Sequence, residues 1–413
     1  MKICFLTSTS EWGGTEVHTV GLAETLEARG HEVVVAQLGH DVYRSVRLDP
    51  RRKIRIAEVP LTQPVEKIGW RRWLRILEPF RGDVCVFEKG DLDTGSLQLD
   101  LAARKLFRRY ITVEQLTCEP MPPKTSRRHF HGLVPGLSLW WYQMFVMRHL
   151  RSLAPHKIVC VSDFTRRNLV EHYRFPQGKL VTIHNGFDAP RFSRSREHRA
   201  ETRRRWAIPD DALAIGAVGR LKKVKGFDLA IELFRRLVAA LPQRDMRLVL
   251  VGGGPIEQEL ERQAQAAGLD GRVLFPGFTE RPWEAYPALD VFIMPSTNEG
   301  LPLALLEAMA SGCCPIAMGV GGVPEVLTRP DVGWLVDPGD REGFYRAMES
   351  AARADPEGLR GMGERARGHV LSRFTARALF AKHADLIEGE FRRGTALVSA
   401  SGNARPAAVE KKL

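Results

Sequence analysis

The chain has 413 residues, 44% of them apolar and 27% charged. That length favours two domains, and that composition belongs to a globular protein, which excludes collagen-like, wholly disordered and disulfide-dense classes. Lys and Arg number 61 against 49 Asp and Glu, a net charge of +12 that calls for an anionic partner: nucleic acid, anionic lipid or a phosphorylated small molecule.

The excess is uneven. Residues 1–190 hold 28 basic and 20 acidic side chains, and no acidic residue stands between Glu119 and Asp163. The six cysteines (Cys4, Cys85, Cys118, Cys160, Cys313 and Cys314) form no C-x-x-C pair. They read as buried reduced thiols of a cytosolic protein, with no zinc site. The opening MKICFLTSTS reads as a strand and a polar loop rather than a signal peptide. No run of about 18–20 strongly apolar residues marks a spanning helix.

In chain order, Ile3–Leu6 reads as a strand, residues 10–15 as a Gly-containing loop and Val17–Arg29 as a helix stopped by Gly30. His31–Ala36 contains the next strand, completing a βαβ unit, the mark of a parallel α/β sheet. Val84–Phe87, Tyr110–Val113 and Ile158–Val161 continue the pattern, and HNGFD at 184–188 reads as a turn. The Arg-rich stretch 191–206 reads as a connecting segment, either a solvated linker or a charged helix.

A second βαβ unit then opens. Ala214–Val218 is a strand, Gly219–Gly226 a basic loop, Phe227–Leu241 a helix, and Arg247–Val251 a strand that runs into three glycines. Further strands are expected at Val273–Phe275, Val291–Met294, Pro315–Ala317 and Trp334–Val336, with helices over 340–392. The expected organisation is a domain at 1–190, a second at 191–375, a C-terminal helix at 376–393 packing back on the first domain, and a disordered tail at 394–413.

The stretch MPSTNEGLPLALLEAMASG, 294–312, carries the most chemistry. Pro302 suits the first helical position and Ser311-Gly312 the stop. Glu307 is the only charged residue between Gly300 and Pro324, amid Leu and Ala. Either it is exposed on an otherwise buried helix, or it lines a cleft and hydrogen-bonds a ligand. Glu299 lies on the preceding loop beside Gly300, and the helix N-terminus between the two glutamates is a ready anion site.

Arg220, Lys222, Lys223 and Lys225 fall in the loop after the first strand of the second half, where doubly wound sheets bind ligands. They suit phosphate oxygens, or are a solvated charge run. Gly13 and Gly14 occupy the matching loop of the first half and could present N–H groups to an anion, although this is not G-x-G-x-x-G. Gly319–Glu325 (GVGGVPE) is another Gly-rich loop. The basic, aromatic segment 120–157, with Trp140, Trp141, Tyr142 and Phe145, reads either as a surface docking on anionic lipid or as a core helix before the Ile158 strand.

In this order, WGGTE, VCVSDFTRR, HNGFD, VGRLKKVKGFD, LVLVGGGP, LFPGF, MPSTNEGLPLALLEAMASG and GVGGVPEVL resemble the retaining glycosyltransferases of family 4 (group 1). The resemblance spans residues 1 to about 390. It implies an α/β chain with the GT-B fold, two Rossmann-like doubly wound domains facing a central cleft. It also implies transfer of a sugar from a nucleotide-diphosphate sugar with retention, with no bound metal or other cofactor.

By resemblance Glu307 binds the ribose hydroxyls and Glu299 a sugar hydroxyl near the reacting carbon. Arg220 and Lys225 stabilise the departing diphosphate. Gly13 and Gly14 approach the donor from the first domain, and Pro276, Gly277 and Phe278 flank the base. Gly219, Gly253, Asn298, Gly300, Leu301 and Pro302 complete the donor-binding set. Where many relatives carry a histidine near the sugar, ITVEQLT offers Glu114 or Gln115, and Glu114 is assigned to the catalytic set.

The resemblance further implies a glycan or lipid-linked acceptor bound by the first domain, in envelope or exopolysaccharide assembly, at the cytoplasmic face of an anionic membrane. A GT-B-fold sugar-nucleotide epimerase or a sugar phosphorylase is the alternative. Nucleic acid is the least favoured partner, because phosphate backbones do not call for clustered carboxylates.

Overall fold

The structure is a computed structural model that describes residues 1–9, 13–40, 42, 52–116 and 146–402. Two parallel sheets form the frame. The first contains β1 (Lys2–Thr7), β2 (Glu32–Leu38), β3 (Ile54–Val59), β4 (Val84–Lys89), β5 (Arg109–Glu114), β6 (Lys157–Cys160) and β7 (Leu180–Thr182), in the order β3-β2-β1-β4-β5-β6-β7. The second contains β8 (Leu213–Val218), β9 (Met246–Val251), β10 (Val273–Gly277), β11 (Val291–Met294), β12 (Cys314–Met318) and β13 (Trp334–Val336), in the order β10-β9-β8-β11-β12-β13. The central strands read as unbroken apolar runs because helices cover both faces of a parallel sheet.

The order reverses beside the first strand of each sheet, between β1 and β4 and between β8 and β11. Such switch points open a crevice at the carboxyl ends of the strands. The loops after β1 and β8 therefore both reach a crevice. One core cluster joins the domains: Phe5, Leu22 and Val113 of the first belong with Phe292, Leu301 and Leu305 of the second and with Phe374 and Phe380 beyond it.

Three expectations differ from what is observed. Strands β3 and β7 were not anticipated; β3 lies at a sheet edge with polar residues interrupting its apolar ones, and β7 has three residues, too few to show a period. The Arg-rich stretch is not a solvated linker. Arg196–Arg205 is a helix of the second domain, and Arg203, 1% exposed, bonds the carbonyls of Ala288, Asp210 and Ala212 and the carboxylate of Asp290. Burial on that scale demands the full fork of partners a guanidinium offers.

The last helix, Ala376–Gly402, runs nine residues into the stretch expected to be disordered, and 403–413 lie outside the described residues. It crosses back onto the first domain. Phe187 N–H donates to Phe374 O at 3.1 Å and Ala376 N–H to Phe187 O at 2.8 Å. Arg29 then pairs with Asp385 at 2.7 Å, and Leu379, Phe380, Ala384 and Ile387 are buried. Trp140, Trp141, Tyr142, Phe145, Trp12 and Cys118 lie outside the described residues; the other five cysteines are free and buried.

Candidate active site

The site is built on the carboxyl ends of β8 to β11. After β8 the chain turns through Gly219 and Arg220 into a short turn, Lys223–Lys225, ended by Gly226 at φ +69°. Only glycine serves there: the φ is left-handed, and a Cβ would overlap the carbonyl oxygen of Pro295. This close approach locks the basic loop to the loop after β11, and Thr297 N–H donates to Val224 O at 2.8 Å. Lys225 Nζ consequently sits 2.7 Å from Glu299 Oε1. Glu299 is 6% exposed, so its charge is held by this lysine rather than by water.

Neighbouring loops complete the rim. Leu221 N–H bonds Gly253 O and Gly252 N–H bonds Gly277 O, both at 3.0 Å. They bring Gly219, Gly253, Pro276, Gly277 and the exposed ring of Phe278 side by side. Pro302 caps the helix Leu303–Ala310, one position earlier in the helix than expected. Glu307 is half-buried on that helix, and Tyr286 O–H donates to its Oε2 at 2.8 Å. Desolvation pushes the Glu307 carboxyl up to about 7, against the opposing pull of the Tyr286 hydrogen bond.

The first domain closes the other side. Gly13 precedes the helix Gly14–Ala28, and a Cβ on Gly13 would fall 2.5 Å from Arg220 Nη2. A Cβ on Gly14 would fall 3.5 Å from Leu303 Cδ1. Two helix N-termini and the Arg220 guanidinium thus face one space, an arrangement suited to a polyanion. Glu16, on the same first turn, is fully buried; burial pushes its carboxyl up, while the Thr9 hydroxyl and Arg220 act in the opposite direction.

Of the residues expected from sequence, Gly13, Gly14, Gly219, Arg220, Lys225, Gly253, Pro276, Gly277, Phe278, Asn298, Glu299, Gly300, Leu301, Pro302 and Glu307 come together on these loops. Glu114 does not join them. Its side chain is 2% exposed and lies 3.5 Å from Lys89 Nζ, on the face of β5 that also carries Thr112 and is covered by Arg151. Strand alternation is the reason: the next residue, Gln115, turns to the opposite face. Gln115 is the residue at the loop of Glu299 and Gly300, where a Cβ on Gly300 would overlap its carbonyl oxygen.

Sequence reasoning missed Asn185, which donates to Leu301 O at 3.3 Å, and Glu325, which accepts from the N–H groups of Asp163 and Phe164 at 2.9 and 2.8 Å. HNGFD reads as a turn and GVGGVPE as a Gly-rich loop, both among the segments of the resemblance, but neither Asn185 nor Glu325 receives a role from the sequence. Among the described residues no group of three His, Cys, Asp or Glu could hold a metal ion, and no helix is long and apolar enough to cross a membrane.

Two parallel α/β domains with paired switch points on one crevice define a GT-B architecture, and solved structures share it. HepE from Anabaena, solved with UDP and glucose, superposes at a TM-score of 0.75 with 18% identity over 94% of this chain and 100% of that one. WaaG, a glycosyltransferase involved in lipopolysaccharide biosynthesis, gives 0.69 with 18% identity over 93% and 100%. The model of glycosyl transferases group 1 matches residues 198–369, and that of glycosyltransferase family 4 matches 127–191. The two models together match part of each half of the chain.

Among its relatives, a D-inositol 3-phosphate glycosyltransferase from Corynebacterium aurimucosum is 31% identical over 49% of this chain and 50% of its own length. A GDP-mannose-dependent phosphatidylinositol monomannoside mannosyltransferase from Mycolicibacterium smegmatis is 29% identical over 65% and 72%. The chain spans about half the length of the first of these relatives.

Proposed function

We propose that this chain is a retaining glycosyltransferase that moves a sugar from a nucleotide-diphosphate sugar to an acceptor hydroxyl without a metal ion. The observation that carries the reading is the Lys225–Glu299 pair at 2.7 Å, set beside Arg220 and between two helix N-termini. Negative charge grows on the diphosphate as the glycosidic bond breaks. Arg220, Lys225 and the N–H groups at Gly13 and Gly14 stabilise it, each charge-assisted contact contributing about 1.5–3 kcal/mol. Glu299, held by Lys225, orients a sugar hydroxyl. Glu307, once ionised, accepts from the ribose hydroxyls, and Phe278 with Gly277 and Pro276 flanks the base.

One relative is named as GDP-mannose-dependent and one structural neighbour holds UDP and glucose; the acceptor is read as a glycan or lipid-linked alcohol at an anionic membrane face. Supporting the membrane part, Trp70, Leu101, Leu150 and Leu153 are exposed on helices over one face of the first sheet, among exposed Arg71, Arg75 and Lys105.

The test is incubation with UDP- and GDP-hexoses in EDTA, with the anomer of the product read by NMR. Retention in the absence of divalent ions is expected. An inverted product or a strict metal requirement overturns the mechanism. Sugar 1-phosphate formed with inorganic phosphate would instead identify a phosphorylase, and an isomerised sugar nucleotide an epimerase. No binding to phosphatidylglycerol vesicles would overturn the membrane part.

A further inference from the structure

Five buried polar side chains take no part in the chemistry above, yet they form one line. His18, Glu88, Gln115, Asn185 and His383 are all 8% exposed or less. They come from helix Gly14–Ala28, the end of β4, the residue after β5, the HNGFD turn and the C-terminal helix.

The contacts run in sequence. His383 Nε2 lies 3.4 Å from His18 Nε2, and His18 Nδ1 lies 3.1 Å from Glu88 Oε1. Gln115 Nε2 donates to Glu88 Oε2 at 3.2 Å, and Asn185 Nδ2 donates to Gln115 Oε1 at 3.0 Å. The same Asn185 amide donates to Leu301 O at 3.3 Å, on the donor loop between Glu299 and the helix of Glu307.

We infer that Glu88, Gln115 and Asn185 are a positioning relay, in which the buried Glu88 carboxylate sets the polarity of two amides and so fixes the Leu301 carbonyl of the donor loop. The hydrogen-bonding capacity of each group fixes the order. An ionised carboxylate only accepts. It therefore draws the Gln115 N–H pair toward itself, which turns Gln115 Oε1 toward Asn185. That oxygen draws the Asn185 N–H pair, whose second proton reaches Leu301 O. Reversing either amide would set donor against donor or oxygen against oxygen inside a buried site, which costs about 1–3 kcal/mol per unpaired group. The loop is held from the first domain, so the register of the two domains is written into the donor site.

This inference rests on the proposed function for its catalytic consequence, but not for its geometry. The decisive comparison is Gln115→Met against the double swap Glu88→Gln with Gln115→Glu. In the swap the carboxylate at 115 accepts from both Gln at 88 and Asn185, while the new amide still accepts from His18. The Asn185 donation to Leu301 survives. Methionine keeps the shape of glutamine but removes both polar ends.

The first readout is amide hydrogen exchange over 299–303 in the unliganded protein, which needs no substrate. Exchange at least about tenfold faster is expected in Q115M, with the swap within about threefold of wild type. The second readout is UDP and GDP affinity by calorimetry, with the same order.

A packing role predicts the reverse, because Met preserves shape and the swap relocates a buried charge. Protection in Q115M equal to wild type overturns the relay, as does a swap no better than Q115M. Should Q115M not fold, Asn185→Ser removes the same donor from Leu301 and carries the same expectation. A wild-type protein that binds neither nucleotide defeats the proposed function and leaves the exchange order to judge the relay.

Discussion

The Glu307 carboxyl illustrates how a single residue couples stability to ligand. Desolvation raises it from 4.5 to about 7. Between those values the folded chain holds a proton that the unfolded chain has lost, so stability falls as pH rises through this window. The full effect above pH 7 is on the order of 3 kcal/mol at most. Glu307→Gln removes it. The variant is expected to melt higher than wild type at pH 8 and nearly equal to it at pH 4, where both side chains are neutral, by differential scanning fluorimetry. It should also bind nucleoside diphosphate at least about tenfold more weakly, because an amide has one acceptor oxygen where the carboxylate has two. A melting difference that does not change with pH would refute the assignment. The isolation of Glu307 among Leu and Ala was plain in the sequence. Its half-buried setting was not, because Tyr286, the group that bonds it, comes from a different element 21 positions earlier. The choice between Glu114 and Gln115 was equally closed to sequence, since adjacent strand residues differ only in which face they take.

Secondary-structure elements place the site through glycines that admit close backbone approach. Gly321 has φ +58°, and a Cβ there would overlap the carbonyl oxygen of Glu299. Its neighbour Gly322 donates its N–H to Gly300 O at 2.6 Å. The GVGGVPE loop is thus a shelf under the Glu299 loop rather than a turn alone. Gly268 offers a control, with φ +68° and no atom within 4 Å of a Cβ. Gly268→Ala should cost about 1–2 kcal/mol, the left-handed backbone penalty alone. Gly321→Ala adds the overlap with Glu299 O and should cost more than about 3 kcal/mol, with loss of donor binding. Urea unfolding measures both, and equal costs would show that the shelf yields freely. The strands that were legible, β1, β4, β8, β9 and β11 among them, carry long buried runs; those that were not are short or lie at an edge. The Gly-rich loop itself was legible, but its contact was not, because its partner Glu299 lies 22 positions earlier.

Across the whole molecule, the two domains are held by contacts that cross between their loops, and Glu325 is the clearest. It stands in the second domain and accepts from Asp163 N–H and Phe164 N–H, the first N–H groups of a helix in the first domain, and from His184 Nε2 at 2.8 Å. Those N–H groups have no partner within their own helix, and the helix dipole favours a negative charge there. Burial pushes the Glu325 carboxyl up, but the His184 and backbone hydrogen bonds outweigh it, so it ends below its ordinary value of 4.5. A carboxyl lowered in this way contributes stability that is present above pH 4.5 and lost as pH falls through its folded value. Glu325→Gln keeps one acceptor but turns an N–H pair toward a helix N-terminus. It should destabilise the protein by about 1–3 kcal/mol at pH 7. The difference from wild type should shrink once pH falls through the lowered folded value of the carboxyl, because the native side chain is then protonated and no longer a pure acceptor. Scanning calorimetry at pH 7 and at successively lower pH measures this. A cost that persists undiminished at the lower pH would mean that the side chain acts by its packing, and that the domains are held together by their shared apolar core alone.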